Sequence, residues 1–438
     1  MYFIYNLLLW LSIVVLVPIY GAKIIFRGKY RRSIGPKLGI ISGQPDNLPG
    51  TPRIWVHAVS VGEVVAAAPI ISALREEFPE ACIVLSTSTE TGQELARKSV
   101  GSITRLIYYP LDFPFIIRKY LDWLNPDVFV AVETEIWPNL IRMCRQRGTA
   151  VILVNGRISP RSFRRYHATR FFWRRVLGMV DRIGAISDVD AGRLRAIGVP
   201  SRKITVRGNT KFDSILSRVD QSAGEILKQE LNYSPDEKIL VAGSTHPGEE
   251  KIILGVFRGL LEKYPDFNLI LAPRHVDRAA EVLSLIRAEG FDDVLPLSRV
   301  RQGGRRRAER IILVDMIGEL FRLYTLASVV YCGGSLVPRG GQNIIEPAAW
   351  GKVVFCGPHM EDFTDEKNLL ESVGSQITVH SGEELLQGIL ELLERPAELS
   401  RRGEAGREAV AASAGAARKY AELITSVLET RTKGERKE

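Results

Sequence analysis

Acidic side chains stand at three points where an apolar run breaks into glycine or proline, and each suits acid–base or hydroxyl-binding chemistry. Glu63 ends the stretch IWVHAVSVGE (54–63). A carboxylate placed after a strand, with its pKa modestly raised, can take the proton of an attacking alcohol. The same position also suits a plain acid complementing the positive end of a helix dipole. Glu133 and Glu135 follow VFVAV (128–132) within ETEIWPN. Two acids so close at a strand end cannot both be buried unpaired, so one of them is expected to meet a cation, with Lys211 and Arg157 as candidates. Glu346 of NIIEP (343–347) stands where a carboxylate can accept both hydroxyls of a ribose.

Groups suited to an anion lie further along. Two glycine pairs, Gly333-Gly334 and Gly340-Gly341, fall within residues 332–363, a strand–loop–helix–strand pattern. Glycine lets the backbone approach a ligand, and a helix start directs unpaired N–H groups at a phosphate. One such loop alone reads as an ordinary crossover turn. Two glycine pairs with Asn343 and Glu346 in one unit point to a phosphate-and-ribose site. Arg274, after Pro273, offers a guanidinium fork to a phosphate. His246 and His275 are loop histidines, open either to ligand contact or to a surface role. No Asp-x-Asp pair ends a strand and the histidines lack metal-ligand spacing, so a reaction without metal or cofactor is expected.

The elements that must position these residues alternate between short apolar runs and helical patterns. Strand-like runs occupy 54–58, 81–86, 105–109, 128–132, 150–154 and 182–186, then 239–242, 268–272, 311–314, 327–331 and 353–356. Such alternation predicts an α/β chain with parallel sheets covered on both faces. In these sheets ligands bind beyond the carboxyl ends of strands, which is where the residues above fall. A length of 438 residues suits more than one domain. The expected layout is GT-B: two doubly wound, Rossmann-like domains facing a cleft, with acceptor bound by residues 33–215 and a nucleotide sugar by residues 216–438. Ser381 and Glu384 have capping-box spacing before a helical tail. Residues 40–52 read as a linker and 303–310 as an exposed loop.

Composition bounds the partners. There are 59 basic and 50 acidic residues, a formal charge of +9, which favours anionic partners. The four cysteines, Cys82, Cys144, Cys332 and Cys356, are far apart and sit in apolar runs, as expected of reduced core residues. Residues 4–19 are almost wholly apolar, and Lys23, Arg27, Lys29, Arg31 and Arg32 follow. A helix of about 20 residues spans a ~30 Å hydrocarbon core, so residues 1–32 are expected to form a single-pass anchor with the body on the cytoplasmic side. A cleaved signal peptide would carry its basic residues before the apolar core, not after it. The segment RSFRRYHATRFFWRR (161–175) has six arginines among aromatics and no acid. It suits a membrane interface, and beside an anchor the membrane is a simpler partner than nucleic acid; a solvated basic helix is the plain alternative.

The ordered blocks HAVSVGE (57–63), ETEIWPN (133–139), NGRIS (155–159), GNTKFD (208–213), AGSTHPGEE (242–250), PRH (273–275), IGE (317–319) and GGSLVPRGGQNIIEPAAWG (333–351) resemble the 3-deoxy-D-manno-oct-2-ulosonic acid (Kdo) transferases. That resemblance covers nearly the whole chain. It implies an inverting GT-B enzyme of lipopolysaccharide synthesis that moves Kdo from CMP-Kdo to the anionic lipid A precursor at the bacterial inner membrane. It implies further that Glu63 is the general base, with Glu133 and Lys211 supporting the transition state. The CMP contacts it implies are Pro273, Arg274, Ile317, Gly318, Glu319, Asn343, Ile344, Ile345 and Glu346. The chain departs from the family at Gln342, where a histidine is usual; an amide still donates a hydrogen bond but carries no charge. The enzyme alternative is a GT-B transferase using a UDP-sugar on another membrane lipid.

Overall fold

The computed structural model describes residues 2–27, 31–41 and 48–435. Lys29 of the basic flank and residues 42–47 of the expected linker lie outside the described residues. The chain divides into two compact units, one comprising Met1–Ser214 with Ser413–Glu438, the other Ile215–Ala412.

The first unit is built on seven parallel strands: β1 (Arg53–His57), β2 (Cys82–Thr87), β3 (Arg105–Tyr108), β4 (Val128–Val132), β5 (Ala150–Gly156), β6 (Arg182–Ala185) and β7 (Ile204–Val206). Their order is β3-β2-β1-β4-β5-β6-β7. Strands β2, β4 and β5 are buried at every position, because helices cover both faces of the sheet. The order reverses beside β1, whose neighbours are β2 and β4. Loops leaving β1 and β4 therefore run to opposite faces and leave a crevice at the carboxyl ends, where Glu63, Glu133 and Glu135 follow.

The second unit repeats the plan with β8 (Ile239–Thr245), β9 (Asn268–Pro273), β10 (Val294–Pro296), β11 (Ile311–Leu313), β12 (Val329–Cys332), β13 (Val354–Cys356) and β14 (Gln376–Thr378). All pair in parallel, in the order β10-β11-β9-β8-β12-β13-β14, and the reversal falls between β8 and β12. Ser381 caps the helix Gly382–Leu393 by accepting the Glu384 N–H, as its spacing predicts.

One expectation is corrected and two are qualified. The tail does not stay with the second unit. Helix Ala416–Glu435 returns to the first, where Ala417, Tyr420, Ala421 and Ile424 share a core with Val64, Ile70 and Ile71 of helix Val61–Glu77. Each fully buried aliphatic or aromatic side chain is worth about 1.5–3 kcal/mol, so this stripe settles which core the helix joins. Tyr420 adds a hydrogen bond to the Gly208 carbonyl at 2.8 Å. The stretch 303–310 is an exposed loop as expected, except that Arg306 is buried. Arg306 donates to Glu237, to Asn268 Oδ1 at 2.7 Å and to the Asn232 carbonyl at 2.8 Å, and it lies over the Tyr233 ring. A buried guanidinium is tolerated because its donors are matched.

The third concerns the anchor. Among the described residues no helix is long and apolar enough to cross a membrane. The first helix, Tyr2–Arg27, is seated on the first unit by polar side chains that a lipid-bound span would leave unpaired. Tyr5 donates to Asp112 at 2.9 Å, and Asn6 accepts from Asn139 at 2.6 Å. Leu9 and Ile13 pack on the core beneath. The opposite face exposes Phe3, Ile4, Leu7, Leu8, Leu11 and Val14. The basic segment forms helices Pro160–Ala168 and Arg170–Leu177, with all six arginines and Phe171 exposed. The Phe172 ring beside them lies 6.1 Å from that of Tyr5.

Candidate active site

Glu63 occupies the first turn of the helix that leaves β1, three residues after its N-cap Ser60. Its carboxylate turns back on its own helix start, accepting the Val59 N–H at 2.6 Å and the Ser60 hydroxyl at 3.0 Å. The geometry is a capping box displaced by one residue, which fixes the side chain before any substrate arrives. Burial pushes its carboxyl up to about 7; the Val59 N–H opposes the rise, and the neighbouring Glu135 and Glu133 add to it. A capping acid that only complemented a dipole would be held down. This one is poised to exchange a proton near neutrality.

Glu133 stands at the end of β4 in the left-handed backbone region, φ 60°, with its N–H tied to the Val154 carbonyl at 2.9 Å. A non-glycine residue in that region is strained, and here the turn throws Glu133 and Glu135 off the strand toward the β1 loop. Burial raises Glu135 to about 7 as well, with the nearby Trp137 indole opposing the rise and the Glu133 charge adding to it. The three carboxylates therefore share one field. The expected cation is not paired with them: among the described residues, neither Lys211 nor Arg157 comes within 4 Å of Glu133 or Glu135 as an ion pair. Arg157 instead accepts the Thr134 hydroxyl on its backbone carbonyl. Lys211 opens the helix Thr210–Leu216, whose start is pinned by side chains. Asn155, itself at φ 52°, accepts the Thr210 N–H at 3.1 Å, and Asn209 accepts that of Lys211 at 3.0 Å.

In the second unit the expected anion and ribose contacts gather at the carboxyl ends of β9, β11 and β12. Pro273 is the last residue of β9, and the Arg274 N–H donates to the Thr245 carbonyl at 2.9 Å. The Arg274 side chain is exposed and makes no ion pair within 4 Å among the described residues. Ile317, 86 % exposed, and Gly318, at φ 93°, lead into Glu319, which pairs with Arg301 at 2.6 Å. Ile344 precedes the short helix Ile345–Ala349, whose Ile345 N–H is accepted by Asn343 at 3.1 Å. Glu346 faces Arg218 at 3.5 Å; burial raises its carboxyl, and the Arg218 and Arg274 charges oppose the rise. Gln342 lies against His246, Nε2 to Nε2 at 3.4 Å, and the His246 ring stands edge-on to His275.

One expectation about the glycine loops changes. The turn after β12, where glycine is expected to let a ligand approach, is closed by the protein itself: the N–H groups of Gly334, Ser335 and Leu336 donate to the Glu249 carboxylate. Arg218 and Glu249 are absent from the sequence expectations. Arg218 reaches Glu346 across 128 residues, a pairing no local pattern announces. Glu249 had a signal: it follows His246 by three residues at a helix start, the capping-box interval, and its Oε2 accepts the His246 N–H at 2.9 Å.

Comparison with known proteins bears on this arrangement. Residues 32–214 match the family described as "3-Deoxy-D-manno-octulosonic-acid transferase (kdotransferase)". The 3-deoxy-D-manno-octulosonic acid transferase of Haemophilus influenzae is 31 % identical over 428 residues, 98 % of this chain and 99 % of that protein. The enzyme of the same name from Bordetella pertussis is 31 % identical over 382 residues, 85 % and 86 % of the two chains. Among solved structures, the UDP-GlcNAc 2-epimerase of Neisseria meningitidis superposes with a TM-score of 0.58 at 14 % identity, covering 86 % of this chain and 99 % of that one. A glycosyltransferase from Rickettsia africae superposes with a TM-score of 0.56 at 15 % identity, covering 86 % and 99 %. At such identities the structural likeness is one of fold, two parallel α/β units of the GT-B kind.

Proposed function

Because the chain belongs to the 3-deoxy-D-manno-octulosonic acid transferase family, we propose that it transfers Kdo from CMP-Kdo to a hydroxyl of the lipid A precursor in lipopolysaccharide synthesis. The observation that carries the reading is Glu63: a fixed, buried carboxylate at the switch point of the first sheet, raised to about 7. It takes the proton of the acceptor hydroxyl as that oxygen attacks the anomeric carbon. The bond from this carbon to the CMP phosphate breaks, CMP leaves with the bonding electrons, and the configuration inverts. The donor arrives with its leaving group attached, so the protein's work is to deprotonate, orient and neutralise charge. Glu133 and Lys211 support the transition state from the ends of β4 and the 210–216 helix. Pro273, Arg274, Ile317, Gly318, Glu319 and Asn343 through Glu346 hold CMP: Arg274 on the phosphate, Glu346 on the ribose.

Calorimetric titration with CMP and with UDP tests the donor. CMP is expected to bind at least about tenfold more tightly, a difference of ~1.4 kcal/mol. Tighter UDP binding would overturn the donor assignment.

A bis-phosphorylated, acylated acceptor also requires a seat at the bilayer. In this reading the first helix lies along the cytoplasmic face of the inner membrane rather than across it. The exposed stripe from Phe3 to Val14 enters the acyl boundary, and the arginines of 161–175 meet anionic headgroups. In vesicle flotation the protein is expected to bind anionic liposomes, more weakly as salt rises. Leu7→Glu with Leu11→Glu should release it. Unchanged flotation of that folded double variant would contradict the in-plane seat.

A further inference from the structure

The reaction above uses no part of Glu249, yet this side chain is 0 % exposed and accepts five hydrogen bonds. Its Oε2 takes the N–H groups of His246 at 2.9 Å and Gly334 at 2.7 Å. Its Oε1 takes those of Ser335 and Leu336, both at 3.1 Å, and the Tyr331 hydroxyl at 2.7 Å. Successive backbone N–H groups converging after a glycine turn are the concavity in which many proteins bind a phosphate. Here the protein's own carboxylate fills it.

What Glu249 grips is tied in turn to the residues assigned to CMP. The Gly334 carbonyl accepts the Gly341 N–H at 2.8 Å, two residues before Asn343. Ser335 accepts the Gly357 N–H on its hydroxyl at 2.8 Å and the His359 N–H on its carbonyl at 3.1 Å. These loops touch so closely that a Cβ on Gly333 would meet the Ser244 carbonyl oxygen at 2.5 Å, and one on Gly357 the Ser335 oxygen at 2.1 Å. The loops leaving β8, β12 and β13 are thus fastened around one carboxylate.

We propose that Glu249 is a positioning residue acting as an internal stand-in anion. It holds the loop 333–336 in its ligand-ready form and, through Gly334 and Gly341, sets the segment Asn343–Glu346. A corollary is that the donor phosphate is read by side chains such as Arg274 and not by this turn. The inference rests on the assignment of the second unit to CMP.

The test uses the full chain with formate as a probe that can replace the missing carboxylate. Glu249→Ala is expected to weaken CMP binding at least about tenfold, the scale of buried donors left unpaired. Formate, but not formamide, should restore much of the affinity and raise the melting temperature of the variant, with no such rise in the wild type. Glu249→Gln, which fills the space with an amide, should be weakened and resist rescue. It also serves if the alanine variant does not fold. In turnover, the donor KM should rise while the acceptor KM stays. Wild-type CMP affinity in either folded variant, or a loss in Glu249→Ala that formate leaves untouched, overturns the proposal. A wild type that binds no CMP overturns the donor assignment instead, while the formate-dependent rise in melting temperature still tests the place of Glu249.

Discussion

Glu63→Gln is expected to slow Kdo transfer by about 10²- to 10⁴-fold, the range of general-base catalysis, while making the protein more stable above neutrality. Glutamine keeps the length of the side chain and an oxygen for the Val59 N–H, so the fold has no reason to change. What it cannot do is take a proton. The stability effect follows from linkage. Burial raises the folded carboxyl from 4.5 to about 7, so the folded state binds the proton more tightly than the unfolded chain does. Stability from this group is therefore full at low pH and lost as pH climbs from the unfolded value through about 7. Above that the loss is constant, on the order of 1–3 kcal/mol. Thermal melts of variant and wild type should nearly coincide near pH 4 and separate by several degrees at pH 8, the variant melting higher. Wild-type turnover should rise with pH through about 7. The carboxylates share one field, so the apparent midpoint belongs to the cluster, and Glu135→Gln should move it downward. A Glu63→Gln enzyme with near-normal turnover would remove the base from the mechanism.

Arg274→Ala is expected to weaken CMP binding by about 10- to 100-fold, the worth of a charge-assisted contact. Its backbone is anchored to Thr245 and its side chain has no ion-pair partner within 4 Å among the described residues, so the fork is held ready at no cost to the fold. Arg274→Lys should recover only part of the loss, because an ammonium is a point charge and cannot make two parallel hydrogen bonds to one phosphate. Affinity unchanged in the alanine variant would move the phosphate contact elsewhere.

Much of the fold was legible in local pattern. The interior strands, three to seven residues long, lie in apolar runs, and such runs announce a strand covered on both faces. The three strands that escaped, β7, β10 and β14, have three residues each and lie at sheet edges, where they are partly exposed and show no fully apolar run. The return of helix Ala416–Glu435 to the first unit escaped for a different reason: its stripe says that it packs, not against what. The same limit explains the first helix. Its apolar run reads as a span until Tyr5 and Asn6 find Asp112 and Asn139, more than a hundred residues away. Glu63, Glu133 and Glu135 were legible as acids that follow strand ends. Their lack of an ion-paired cation was not, since it depends on where Lys211 and Arg157 come to rest. The glycine pairs did mark close backbone approach, but the Gly334 N–H is taken by the protein's own Glu249.

The central claim is tested most directly by the mass of the product formed when the purified protein is incubated with CMP-Kdo and a tetra-acylated lipid A precursor. The account predicts an acceptor heavier by whole Kdo residues, with CMP released in equal number, and both products formed about 10²- to 10⁴-fold more slowly with Glu63→Gln. A folded protein that binds CMP but leaves both substrates unchanged, or that transfers as well with glutamine at position 63, would contradict it.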